Sequence, residues 1–592
     1  MSIIGGFDIE TTQPYDTPHG KAVRCFLACV YYFEDGKEKQ EVFESIGKFV
    51  EWCFTTSGTL YCHNLKFEVS YMLPYLLVTE RPFKILEATF NIYTFQIGSV
   101  KFYCTGNFYV GEKLDDIGKQ QLGYGKIEHS VIFPKDHKAT DKDIEYCLRD
   151  CKITYEIAMK HIDTMQEIAG RVTNCTTTIK KLRKKITNSS MAYSVFESLH
   201  DPTEFTTRLP TISKEAQDSM RKGYYGGLVG IKVGQFSTVY SYDIVNCYPS
   251  VMINKNYPAG KPYAIKDWET DIVNGKWTFW IGRFVITGLR KHKNTLPTVL
   301  RKKYGINEGV EQADHIEVTL CDNDYKLMLD NYKFDSIAFV DGHYFVEEQT
   351  GGELFGNYIF VFSSLSRELK EKMHEAKQRK DWDSVARFKA ERDKVKIFLN
   401  GLYGKFSTRT ETDDYDYYID ENKVVKRKTT GTTYKEELDK YYLPIAIWIT
   451  SYVKEIVSNA VKMVDFRNVV NYDTDSIKTL KPLPAELLGS EMGMWEHEFT
   501  AVEMKCVAPK CYAYTYYDGL LDPLQWGKVE RPLLFNIKAK GISKHAVARD
   551  KAVLGMDLFE RFNEYLTFNV LQAKRFIGGT GLIEVEKKLV RG

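Results

Sequence analysis

"VVNYDTDSIKTL", Val469 to Leu480, decides how the rest of the chain is read. Its valines, isoleucine and tyrosine make it a β-strand by composition, and two aspartates interrupt it. Side chains two apart in a strand share a face, so the spacing predicts Asp473 and Asp475 on one side, with Tyr472, Thr474 and Ser476 on the other. Two carboxylates so placed repel and are costly to bury without a cation or a donor. A divalent metal is the natural compensation. The plain alternative, a polar turn between two hairpin strands, stands level with it on this fragment alone.

Other fragments carry the same kind of chemistry. In "YSYDIVNCYPS", Asp243 closes an apolar run and Tyr248 follows five residues later, before Pro249. Alone, Asp243 is a cap or turn residue; shared with Asp475, it makes a two-metal clamp for in-line displacement at phosphorus, with ions about 3.5–4 Å apart. "KVKIFLNGLYGKF" places Lys396, Asn400 and Tyr403 at spacings of four and three, on one face of a predicted helix. A lysine there meets triphosphate oxygens and a tyrosine stacks on a base or sugar, although an aromatic core stripe is the commoner origin of such a pattern. Near the N-terminus, "FDIETT" sets Asp8 and Glu10 two apart on a predicted strand, and "EYCLRD" sets Tyr146 and Asp150 one helical turn apart. Between them, "YCHNLKFEVSYML" carries Asn64, Phe67 and Glu68.

Composition bounds these readings. A chain of 592 residues is too long for one hydrophobic core, so several domains are expected. With 43% hydrophobic and 27% charged residues it is an ordinary globular composition rather than a disordered one. No apolar run reaches the roughly 18 residues of a membrane span, and no signal-peptide layout opens the chain, so a cytoplasmic protein is expected. The twelve cysteines form no C-x-x-C pair, which argues against zinc. A net charge of +2 neither demands nor excludes nucleic acid, since a local basic groove suffices. The run "IKKLRKK", Ile179 to Lys185, is a basic groove or a solvated helix face.

Strand-like and helical runs alternate over the first 185 residues, including a helix over Asp141 to Ile162, which suggests an α/β domain. A glycine-rich, aromatic stretch, "GYYGGLVG", leads into Asp243's strand. "SRELKEKMHEAKQRK" and "SVARFKAERDKVKIFLNGLYG" predict a basic helix pair about the turn "KDWD", with Asp383 or Ser384 as N-cap. "TETDDYDYYIDENKVVKRKTTGTTY" has the outline of a β-hairpin. A helical run, "DKAVLGMDLFERFNEYL", and short strands around "GGTG" end the chain.

In order, D-x-x-x-x-Y-P, K-x-x-x-N-x-x-Y-G and Y-D-T-D-S resemble motifs A, B and C of family B DNA polymerases, and the ordered triple is far more specific than any member. The resemblance implies that Asp243 and Asp475 hold two catalytic Mg²⁺ ions, with Mn²⁺ as a substitute, and that Asp473 supports them. Tyr248 would lie beneath the incoming sugar, and Lys396, Asn400 and Tyr403 would bind the dNTP, with Arg367, Lys370 and Arg392 as further triphosphate contacts. The N-terminal acids resemble the three motifs of a DEDDy 3′–5′ exonuclease of RNase H-like fold. There Asp8, Glu10, Glu68 and Asp150 would hold two metals, Tyr146 would orient the attacking water, and Asn64 and Phe67 would hold single-stranded DNA. The family has aspartate where this chain has Glu68, and a carboxylate displaced by about 1 Å lowers a rate substantially.

"HNLKFE", "YYGG", "YGKF" and "NIKAKGIS" narrow the resemblance to the protein-primed DNA polymerases of small tailed bacteriophages and linear plasmids, over nearly the whole chain. Tyr224, Gly226 and Gly227 match its Y-x-G-G element, Lys510 and Tyr512 its K-x-Y element, and Lys454 stands where an arginine is usual; all six would contact DNA. A lysine keeps the charge but loses bidentate phosphate binding.

The implied fold is α/β and α+β multidomain, an RNase H-like exonuclease followed by a right hand of palm, fingers and thumb. Its divisions are the exonuclease 1–185, palm 186–258, a first inserted segment 259–355, fingers 356–406, a second inserted segment 407–440, palm 441–528 and thumb 529–592. Implied partners are primer/template DNA, dNTPs and a terminal protein whose hydroxyl primes synthesis, the enzyme being a monomer or a heterodimer with that protein. A family B polymerase using nucleic-acid primers, a non-catalytic DNA-binding replication protein and a pure exonuclease are the alternatives.

Overall fold

The computed structural model describes residues 2–87, 91–129, 132–275, 277–303, 306–519, 523–526, 531–542, 544–563 and 567–588. The N-terminal domain is built on a seven-stranded sheet in the order Lys37–Phe43, Cys25–Glu34, Ile3–Thr11, Ser57–Cys62, Ser99–Cys104, Ile92–Ile97, Phe83–Glu87. Ser57–Cys62 runs parallel to both neighbours, and the other pairings are antiparallel. Cys25 to Tyr32 is buried without a break because both faces of the sheet are covered. The helix expected over 141–162 runs from Asp141 to Gly170, begun by a Thr140/Asp143 capping box. It lies so close to the strand Ile3–Thr11 that a Cβ on Gly6 would stand 1.9 Å from the Cys151 carbonyl oxygen.

A second seven-stranded sheet forms the palm, in the order Val229–Ile231, Val469–Asp473, Ser476–Thr479, Gly234–Ile244, Trp495–Ala508, Cys511–Tyr517, Leu533–Ala539. The apolar helix Leu443–Val464 is buried along most of its length in the large core that joins palm and fingers. Leu533–Ala539 was expected in the thumb, yet it is the palm's edge strand, because its alternating burial pairs it with Cys511–Tyr517. The expected palm–thumb boundary at 528/529 lies outside the described residues.

The first inserted segment has a core of its own around Phe284, Ile286 and Met328, with Trp280–Lys291 paired on both sides. The helix pair expected as the fingers is present, as Gly351–Gln378 and Trp382–Gly401. Their turn is capped by Asp381, whose carboxylate accepts from the Ser384 amide at 3.1 Å; neither Asp383 nor Ser384 is the cap. The second inserted segment is the expected hairpin, Glu411–Ile419 with Val425–Tyr434. The helical run expected near the C-terminus breaks at Gly555 (φ +54°) into Lys544–Leu554 and Met556–Glu560, with 564–566 outside the described residues. A hairpin, Thr567–Phe576 with Gly579–Lys588, follows.

Candidate active sites

In the N-terminal domain, Asp8 and Glu10 project from one face of their strand, as the spacing predicts, beneath the helix that carries Tyr146 and Asp150. Carboxylate oxygens of Asp8 and Glu10 and the Cys147 sulfur all lie within 4.8 Å of one another. Burial, then the neighbouring Asp150, pushes the Asp8 carboxyl up to about 7; burial, then Asp8, pushes Glu10 up to about 9. Glu68, 3% exposed on the helix Leu65–Val78, is driven well above the usual carboxylate range by burial and then by Asp8. Glu68 is thus buried within electrostatic reach of Asp8, although the close group of Asp8, Glu10 and Cys147 does not include it. Glu68 Oε2 and Asp150 Oδ1 have no hydrogen-bond partner among the described residues.

Among the described residues the cation that faces these acids is Lys126, which the spacing of motifs did not mark. Lys126 donates to the Asp150 carboxylate and, at 3.2 Å, to the Tyr146 hydroxyl oxygen. Burial opposes its charge, but Asp150 and Asp8 outweigh burial and hold its pKa up. Lys126 belongs to no regular element, so no periodicity marked it. Asn64 and Phe67 line a cavity of about 520 Å³, and Asn64 also lines an adjoining one of about 980 Å³ that reaches Lys126.

In the palm, the opening motif is a hairpin. Asp473 ends one strand and pairs with Ser476, which begins the next, so Thr474 and Asp475 are the turn. The expectation that both aspartates share a strand face is corrected: the two-residue connection separates them. Thr474 has φ +63°, unusual for a β-branched residue, and the Asp475 amide donates to the Asp473 carbonyl at 2.8 Å. The turn is held from two sides. The Ile244 amide donates to the Asp475 carbonyl at 3.0 Å, which brings Asp475 to the end of Asp243's strand, and the Thr474 amide donates to the Leu228 carbonyl at 2.9 Å.

Burial, then Asp475, then Glu498, pushes Asp243 up to about 7; burial, then Asp473, raises Asp475. Glu498 is a second residue missed by the sequence reading. Ser241 pairs with Phe499 and Tyr242 with His497, so Glu498 is the extra residue of a β-bulge, where Ser241 Oγ donates to it at 2.9 Å. The i,i+2 rule that marked Asp8 and Glu10 applies equally to Glu496 and Glu498, and it was the available signal. Lys478, 5% exposed, is the cation beneath this site; burial lowers its pKa against the pull of Glu498, Asp473 and Asp243.

Tyr248 and Tyr403, from separate motifs, stack with ring centroids 3.8 Å apart and planes 6° apart. Tyr403 opens a short helix of its own after Trp382–Gly401 ends, so Lys396, Asn400 and Tyr403 do not share one continuous helix. Lys396 is half-buried, and its pKa is lowered by burial and then by Arg392, with Lys370 also contributing. The predicted triphosphate contacts Lys370, Arg392 and Lys396 thus form one cationic group; Arg367 and Asn400 are exposed on the same helix pair.

Gly227 sits against the strained turn: a Cβ there would stand 2.0 Å from Thr474 Oγ1. Gly226 faces Asn307, and Tyr224 packs on the palm core. Lys510 Nζ donates to Asp473 Oδ1 at 3.0 Å, and Tyr512 lies 5.5 Å from Lys478 Nζ, which is over its ring. Lys454 is corrected. It is 4% exposed and bonded to Asp324 at 2.6 Å, so it ties the first inserted segment to the palm and presents no charge to DNA.

Both acidic clusters fit hard divalent cations. Their donors are carboxylate oxygens held partly or wholly out of water, two of them orphaned among the described residues, and the pKa values of Asp8, Glu10 and Asp243 are raised by burial and then by the neighbouring acids, a crowding that a divalent cation relieves.

A family model described as DNA polymerase type B, organellar and viral, matches residues 106–479. The DNA polymerase of Bacillus phage M2 is 23% identical over 557 residues, covering 87% of each chain. That of Bacillus phage phi29 is 22% identical over 531 residues, 83% of each. A solved structure of phi29 DNA polymerase complexed with primer-template DNA and incoming nucleotide substrates shares the fold at a TM-score of 0.78 and 18% identity, over 99% of this chain and 100% of that one.

Proposed function

The chain belongs to the type B DNA polymerases of organelles and viruses, and from that premise we propose that it copies a linear genome from a terminal-protein primer, displaces the strand ahead and edits with its 3′–5′ exonuclease. The observation that carries the synthetic half is the meeting of Asp243, at the end of its strand, with Asp475 in the hairpin turn, where the Ile244 amide donates to the Asp475 carbonyl at 3.0 Å, together with the stacked Tyr248–Tyr403 pair. Polymerases of this family are generally dependent on divalent metals. Asp243 and Asp475 would hold two Mg²⁺ ions, or Mn²⁺ in their place, which supply charge neutralisation and orientation at phosphorus.

The residues present do the rest. Asp473, bonded to Lys510, supports the turn that presents Asp475. Lys396, Arg392 and Lys370 meet the triphosphate, Asn400 closes on the dNTP, and the Tyr248–Tyr403 face takes the sugar and its base, excluding a 2′-hydroxyl. Lys510 and Tyr512 reach the primer terminus, and Tyr224, Gly226 and Gly227 face the template.

In the N-terminal domain, Asp8, Glu10, Glu68 and Asp150 would hold the editing metals. Tyr146 accepts a hydrogen bond from Lys126, which leaves its own O–H free to orient an attacking water. Asn64 and Phe67 guide the frayed strand along their cavity and into the adjoining one that reaches Lys126. Among the described residues no helix is long and apolar enough to cross a membrane, and the proposed place of action is the host-cell cytosol.

Extension and degradation of one labelled hairpin test both sites. Asp475→Asn is expected to abolish extension and keep degradation; Asp8→Ala is expected to do the reverse. Incubation with the genome's own terminal protein, Mg²⁺ and one labelled dNTP tests priming, and absence of a protein–nucleotide adduct sinks that part. A nucleic-acid-primed polymerase is the second reading.

A further inference from the structure

The second inserted segment does not end in solvent; it is fastened to the exonuclease domain. Two donors from the hairpin converge on one acid: the Tyr417 hydroxyl donates to one oxygen of Glu87, and the Arg427 guanidinium to the other. The Glu87 side chain is only 6% exposed, at the edge of the exonuclease sheet. Tyr417 also packs against Phe83, ring centroids 6.1 Å apart, and Val425, near the hairpin tip, is buried in the exonuclease core.

The thumb closes on the same place. Arg575 donates to the Val425 carbonyl at 3.0 Å, and Tyr71 of the exonuclease domain donates to the Thr580 carbonyl at 2.6 Å. At its other end the hairpin is tied to the palm by Lys214 and Glu411, 2.7 Å apart. Palm, hairpin and exonuclease domain are therefore joined in a ring, with the thumb on the seam.

We infer that Glu87, Tyr417 and Arg427 are the clasp of this ring, and that the time the enzyme stays on DNA is set by that clasp. Both oxygens of the covered Glu87 carboxylate accept from the hairpin, so parting hairpin from exonuclease breaks both charge-assisted contacts together. A purely apolar seam would hold without such specificity. The inference rests on the proposed polymerase function and on what the resemblance to protein-primed polymerases implies for 407–440, that this segment closes around DNA.

The test is run length per binding event on a singly primed circular single strand, with competitor DNA added as a trap. Glu87→Arg and Arg427→Glu are each expected to shorten runs at least about tenfold, a loss of about 1.4 kcal/mol in holding the closed state. The double variant, with the charges exchanged, is expected to recover to within about twofold. Incorporation of a single nucleotide, which needs no clasp, should be unchanged and shows that each variant is folded. Amide exchange across Glu411–Tyr434 should rise in each single variant and fall back in the double. Single variants with undiminished runs and a protected hairpin overturn the clasp, as does a double variant no better than either single. If the unaltered enzyme itself leaves after a few nucleotides, the enclosing role of 407–440 fails, while hairpin exchange still reads the clasp.

Discussion

Asp243 is a carboxyl raised by burial and by the acids beside it. Its pKa rises from 3.8 to about 7 because burial and then Asp475 disfavour the charged form. The folded state therefore holds its proton more tightly than the unfolded chain, and this group's contribution to stability falls as pH rises from about 4 to about 7. Without metal, Asp243→Asn is expected to melt several degrees above the unaltered protein at pH 8 and level with it near pH 4, measured by thermal scans in EDTA. Added Mg²⁺, binding only the folded state, should raise the unaltered protein's Tm more than the variant's. Polymerisation by the variant should fall by about 1,000-fold or more.

At the scale of the element, the hairpin turn of Asp473 to Ser476 depends on a neighbour remote in sequence. Thr474 is held at φ +63° by the Leu228 carbonyl, and the space it occupies exists because Gly227 has no side chain. Gly227→Ala puts a methyl group where Thr474 Oγ1 stands, so the turn must shift and Asp475 with it. Primer extension is expected to drop by about 10- to 100-fold, as misplacement of about 1 Å does elsewhere, while degradation of single strands is unchanged. Equal loss of both activities would mean general unfolding instead. Strand and helix periods made most elements legible in the sequence, including the helix pair and the second hairpin. They failed where a side chain acts from a turn or a bulge, as Asp475, Asp381 and Glu498 do, because a period describes only the residues between such points.

The whole molecule is joined by polar contacts that no local pattern foretells. Lys454 and Asp324 form a pair at 4% and 3% side-chain exposure, supported by Ser451 Oγ at 2.6 Å from Asp324. Lys454→Met leaves Asp324 buried and uncompensated, and is expected to destabilise the protein by about 3–5 kcal/mol. Adding Asp324→Leu should regain much of that loss, read by denaturant unfolding followed in the first inserted segment. A second polar joint fixes the fingers: Lys394 donates to His161 Nδ1 at 2.9 Å, and His161 meets Asn188 Oδ1 at 3.0 Å. It fastens the fingers helix that carries Lys396 to the long exonuclease helix.

By itself the sequence determined the two acidic sites as residue types at fixed spacings, the order of the motifs, and the alternation of strands and helices that builds the N-terminal sheet. Those follow from local geometry, since a strand repeats every two residues and a helix every 3.6. Only the tertiary structure decided that the opening "YDTDS" is both a turn and an acidic site, that Lys126, Glu498 and Lys478 stand among the acids, and that Lys454 is a buried tie. It also decided that the second inserted hairpin is clasped to Glu87, 330 residues from Tyr417 along the chain. The physical reason is burial: what a charge does depends on which distant groups share its removal from water, and spacing along the chain does not encode that.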